Sequence, residues 1–168
     1  MRHPPPGRTQ LPRAHARVAC SGAAVGLVLV AAAATAGPVA AQSPDVAGSW
    51  SARTYRLKDG PEHRVEGTIF FTDSDWTVLF FVMGSDGEAK RASAEGGTYT
   101  LAGEDLVFTH LHLFAAGEAL EGLAESEMSM VVREAADAPT EPTRVQVRGS
   151  ILTLFFPSGN SMRFERSS

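Results

Sequence analysis

Residues 66–83 read Glu66-Gly67-Thr68-Ile69-Phe70-Phe71-Thr72-Asp73-Ser74-Asp75-Trp76-Thr77-Val78-Leu79-Phe80-Phe81-Val82-Met83. Two runs rich in Thr, Ile, Val, Phe and Trp flank a polar triplet. β-Branched and aromatic side chains suit a pleated, half-buried surface. Asp and Ser bond back to their own backbone and favour turns. The stretch predicts a strand over residues 64–72, a turn at Asp73-Ser74-Asp75, and an antiparallel partner over residues 76–83. Neither run alternates cleanly. Successive strand residues face opposite sides, so Phe70-Phe71 and Phe80-Phe81 place a ring on each face. One Phe of each pair belongs to a core or an apolar cavity. The other meets a covering segment or a dimer contact, or stands in an exposed apolar patch.

The same texture continues on both sides of this hairpin. Further strands are predicted over residues 48–57, 97–101, 106–114, 127–133, 143–148, 151–156 and 161–166. Gly- and Asp-rich turns separate them, such as Lys58-Asp59-Gly60-Pro61, Gly84-Ser85-Asp86-Gly87 and Pro157-Ser158-Gly159-Asn160. Only residues 115–126 offer a helical turn, and Gly117 and Gly122 oppose a longer one. Nothing resembles a crossover helix, so the strands should pair antiparallel as a meander. A meander of nine short strands exposes edges unless it closes, and closure removes them. The expected fold is all-β, an antiparallel meander closing into an eight- to nine-stranded barrel.

The first 41 residues read differently. Arg2, Arg8, Arg13 and Arg17 make that end basic, an uncharged run spans residues 23–36, and Val39-Ala40-Ala41 supplies small residues. This is the pattern of a secretory signal peptide, with cleavage after Ala41 and Val39 at −3. The rival is a membrane anchor, but the apolar run of 16 residues from Gly22 to Gly37 falls short of the roughly 20 that span a bilayer. Cys20 precedes the apolar run, where a lipid-modified cysteine would follow it. The basic leader is long enough to suggest a start codon further downstream. Export to a periplasm or the medium is the expectation, with residues 42–168 as one domain and no stable membrane insertion after cleavage.

Cleavage removes four of the 15 basic residues and none of the 19 acidic ones, leaving a net charge of −8. Nucleic acid and anionic membrane surfaces require a basic face, so neither is an expected partner. The single cysteine lies in the leader, so disulfides and thiolate chemistry are excluded from the remainder.

Val46-Ala47-Gly48-Ser49-Trp50 opens the first strand with Gly-x-Trp, which resembles the opening motif of lipocalins and their bacterial lipocalin-like relatives. The segments 66–72, 97–106 and 149–154 resemble the strand–turn rhythm of the same group, so the likeness covers roughly residues 46–166. The resemblance implies a calycin-type barrel in which Trp50 lies across the closed end. A basic residue near the end of the last strand, Arg163 or Arg166, then packs over it, with Gly48 at the start of the motif. It also implies a small apolar ligand. Residues 114–125, rich in Ala, Gly and Glu, depart from the pattern near the expected barrel mouth.

The expected ligand-binding set is Trp50 at the floor, with Ile69, Phe80, His110, His112, Met128 and Phe155 on the walls. A one-residue slip of register inverts such a set. His110 and His112 form His-x-His, and two imidazoles at this spacing on a regular strand can reach one metal ion. Glu118 or His63 is the candidate third ligand. A metal-assisted enzyme on these histidines is therefore one alternative, and an envelope interaction module with a filled core is another. No catalytic residues or cofactor are expected. Gly-x-Ser-x-Gly elbows and phosphate-cradling loops do not occur, and turn chemistry accounts for Asp73 and Asp75.

Overall fold

The computed structural model describes residues 42–168, and the expected export signal lies outside them. The strands are β1 (Gly48–Arg56), β2 (Glu62–Phe71), β3 (Asp75–Met83), β4 (Ala89–Ala102), β5 (Asp105–Gly117), β6 (Ser126–Val132), β7 (Thr140–Arg148), β8 (Ile151–Phe155) and β9 (Ser161–Arg166). All pairings are antiparallel. β2 meets β3 in unbroken register from Val65↔Val82 to Phe71↔Trp76, so the hairpin around Asp73-Ser74-Asp75 forms as its sequence dictates.

β1 pairs with both β2 and β9, and β4 pairs with β5. Eight strands therefore close into a barrel in the circular order β1-β2-β3-β4-β5-β7-β8-β9, and β6 is an added ninth strand. β4 occupies one side of β5. On its other side, Asp105–Thr109 pair with β7, while His112–Gly117 pair with β6. β6 and β7 thus follow one another along the same edge, as two halves of one broken stave. The excursion between them holds a single turn of 3-10 helix at Ala135–Asp137. Two backbone bonds pin its ends: Arg133 N donates to Leu111 O at 2.8 Å, and His110 N donates to Pro139 O at 3.0 Å. Among the described residues, no strand pairs with the far edge of β6. β8 joins β7 only from Arg144 onward. Pro142 sits on the one-sided stretch of β7, where a missing N–H is tolerated.

The two Phe pairs split as the sequence requires. Phe71 is 1% exposed and Phe70 44%. Phe80 packs against the core while Phe81 is exposed. Trp50, Phe71, Phe108, Phe164, Ile69 and Leu106 are among the fully buried side chains, and each contributes roughly 1.5–3 kcal/mol by leaving water. The outer wall is apolar too. Every exposed large hydrophobic among the described residues lies on β2, β3, β5 or β6: Phe70, Leu79, Phe81, Phe114, Met128, Met130 and Val132. Leu79, Ala94, Phe114 and Met130 stand opposite one another in a single row across β3, β4, β5 and β6.

Two expectations of extent need correction. β4 begins at Ala89, well before residue 97, and no helical turn forms over residues 115–126. Ala89–Gly96 has little intrinsic strand preference, but β3 and β5 pair with it on both sides. β5 runs on to Gly117, and the following loop closes on itself through reciprocal backbone bonds between Leu120 and Leu123.

Candidate ligand cavity

One end of the barrel is sealed. Gly48 has φ +101°, a conformation glycine adopts without a Cβ penalty, and it turns the chain from the lead-in segment into β1. Trp50, fully buried, donates its indole N–H to Val46 O at 2.7 Å. The Arg166 guanidinium lies 4.1 Å from the Trp50 ring centre. Its Nη1 donates to Ala47 O at 3.0 Å and its Nη2 to Asp45 O at 3.2 Å. Arg166 is therefore the basic residue over the tryptophan. Arg163 is not: it lies between the buried Met162 and Phe164 and faces solvent. Trp50 is the plug beneath the cavity rather than one of its walls.

Above this plug the barrel holds a cavity of about 200 Å³. Six aromatic rings line it: Tyr55, Trp76, Phe80, Phe108, Phe156 and Phe164. Ile69, Val78, Leu154 and Met162 complete the apolar wall, and Glu95, Glu141 and Ser158 are its polar members. Near its far end, Leu120 and Leu123 of the 118–125 loop pack against the core. Arg91 ties this loop down, donating from Nη1 to Glu118 O at 2.7 Å and to Ala124 O at 2.6 Å.

The two carboxylates grip one imidazole. His110 Nδ1 lies 2.9 Å from Glu95 Oε2, and Nε2 lies 3.4 Å from Glu141 Oε2. Glu95 Oε1 also accepts from the Ser93 hydroxyl at 2.9 Å. The bond to Glu141 and then that to Glu95 hold the His110 pKa up at about 9, against a desolvation that pulls it down. Burial pushes the Glu95 carboxyl up, but the bonds from His110 and Ser93 outweigh it and hold its pKa below the ordinary value. Trp76 stands edge-on to the imidazole, with ring centres 5.2 Å apart. Its buried Nε1 has no hydrogen-bond partner among the described residues.

Of the predicted walls, Ile69 and Phe80 line the cavity, and His110 stands behind Glu95 and Glu141. Three others point away from it. His112 lies on the outer surface, in a groove with Thr77, Phe114, Met130 and Val132. The cause is a bulge: Gly97 faces His110 and Gly96 faces His112, so Leu111 is an extra residue that breaks the alternation. Gly97 permits it, because a Cβ there would lie 1.9 Å from Thr109 O. Met128 is 67% exposed, because β6 continues the outward row of β5. Phe155 is displaced by one residue. Leu154 takes the inner position, and Phe155 packs under the Arg144 guanidinium at 4.1 Å.

His110 and His112 therefore do not converge, and the metal-assisted reading loses its pair of ligands. Among the described residues, no three His, Cys, Asp or Glu side chains are grouped to hold a metal ion. Sequence reasoning missed Glu95 and Glu141. Counting back by twos from Tyr99 passes through Gly97 to Glu95 and Ser93 and would have found the first. Nothing beside Pro142 marked the second. No protein-family model, curated protein or solved structure significantly matches the chain.

Proposed function

We propose that residues 42–168 are an exported lipocalin-like protein that binds a small apolar molecule inside the barrel, and that residues 1–41 are its cleaved export signal. One observation carries the reading: a closed barrel, plugged at one end by Trp50 and Arg166, holds an aromatic-lined, partly open cavity of about 200 Å³. A dry apolar cavity of about 150 Å³ holds one benzene. The occupant here is accordingly a one-ring compound or a short aliphatic of comparable bulk. Apolar burial at roughly 25 cal/mol per Å² supplies the affinity, and the few polar groups of the wall orient the ligand.

Native mass spectrometry on protein purified from the organism that makes it tests both parts. The expected species has the mass of residues 42–168 plus an adduct lost on denaturation. A bare polypeptide that also fails to take up any apolar compound defeats the binding reading. An intact leader on the exported protein defeats the cleavage site.

A further inference from the structure

The charged groups that line the cavity are both acidic. Glu95 and Glu141 reach its surface, and among the described residues no basic side chain lines it, although Arg91 lines the adjoining space beyond Tyr55 and Phe80. His110 stands behind them, hydrogen-bonded to Glu95 at 2.9 Å and 3.4 Å from Glu141. Two arginines stand near by without pairing: Arg133, whose charge acts on Glu95, donates its Nη1 to His110 O at 3.3 Å, and Arg91 holds the carbonyls of the 118–125 loop. Neither forms an ion pair with Glu95 or Glu141 among the described residues.

The two carboxylates differ in what they have left to offer. Glu95 uses one oxygen on Ser93 and the other on His110. Among the described residues Glu141 has only the long contact from its Oε2 to His110, so most of its acceptor capacity remains for a ligand in the cavity it lines. An ammonium group carries three donors and no acceptor, which complements this arrangement. The rings of the wall add to the match, because their electron-rich faces attract a cation. An anionic head group would meet two carboxylates whose charge the single His110 imidazolium behind them only partly offsets.

We infer that the ligand of this cavity is a small monoamine in its cationic form. Its ring or alkyl group sits among the aromatic side chains, and its protonated nitrogen donates to Glu141. This rests on the barrel's being a small-molecule binder and specifies the class of molecule.

The test compares three compounds of one shape and different charge: 2-phenylethylamine, 2-phenylethanol and phenylacetate. Each is titrated calorimetrically into protein expressed from its complete sequence and purified as the cell delivers it. Both amine and alcohol can donate to the Glu141 carboxylate, but only the ammonium brings a full positive charge and further donors, so the amine should bind at least about tenfold more tightly than the alcohol, and phenylacetate should not bind. In Glu141→Gln, the amine should lose its advantage and bind no more tightly than the alcohol does to the same variant. Equal affinity for amine and alcohol overturns the inference while leaving the binding barrel intact. So does an amine preference that survives in Glu141→Gln. Failure of all three compounds overturns it as well, and native mass spectrometry without an adduct then removes the wider reading with it.

Discussion

Arg166 and Arg163 lie three residues apart on β9, and the fold uses them differently. Arg166 covers the Trp50 ring and satisfies carbonyls of the lead-in segment, whereas Arg163 faces water. Arg166→Ala should therefore destabilise the barrel by about 2 kcal/mol, from the lost cation–π contact and hydrogen bonds. Arg163→Ala should stay within about 0.5 kcal/mol. Urea unfolding of the two variants checks this, and equal losses would refute the assignment. His110 gives a pH signature. Its pKa is raised from 6.5 to about 9, so the stability it contributes is complete below 6.5 and is lost as pH rises through about 9. Glu95 has the opposite sign: its pKa is lowered from 4.5, so its contribution is present above 4.5 and is lost as acid protonates it. Facing the imidazole are Glu95 from β4, Glu141 from β7 and the uncharged Trp76 from β3. The thermal midpoint should fall on both flanks of a plateau between about pH 4.5 and 6.5. His110→Gln should flatten the alkaline flank, and an unchanged alkaline slope would remove His110 as its cause.

At the scale of strands, β5 decides which side chains reach the interior. Gly97 lets the backbone of β4 approach Thr109 closely enough for Leu111 to bulge. A Cβ at 1.9 Å from a carbonyl oxygen has no room, so Gly97→Ala should cost about 2 kcal/mol or more, read as a lowered melting temperature. A neutral result would mean that the bulge is soft. The bulge also marks the limit of what the sequence revealed. Hairpins such as β2–β3 were legible because turn residues interrupt runs of strand formers, and Phe70-Phe71 announced its two faces. Trp50 with a basic partner was legible only through the lipocalin resemblance that Gly-x-Trp helps to carry. The facing of His112 was not, because one extra residue inverts parity and no local composition reports it. Ala89–Gly96 was equally silent, since its strand conformation is imposed by neighbours on both sides. Phe155 shows the same weakness without a bulge: in Leu154-Phe155-Phe156 any of the three reads equally well as the inner residue.

Taken whole, the barrel is apolar inside and along one outer wall. Met128, Met130 and Val132 are 67%, 73% and 82% exposed, and they flank the open edge of β6. Contiguous apolar surface of this kind binds reporter dyes and promotes association. Met130→Lys should lower the fluorescence of an added hydrophobic dye and leave stability within about 0.5 kcal/mol. A dye signal that does not change would place its binding elsewhere, the cavity first. The broken stave has another consequence, for chain connectivity. Ser167 N donates to Ser49 O at 3.0 Å, so the last strand ends beside the first. The excursion between β6 and β7 interrupts no ladder, because each half-strand is paired with β5 independently. A chain recut within Ala135–Asp137, with residues 43 and 168 joined by a short flexible linker, keeps every strand pairing described here. Such circular permutants succeed at exposed tips with few backbone bonds. This one should fold to the same barrel, with new ends at the break and the old ones spliced beneath the Trp50 plug.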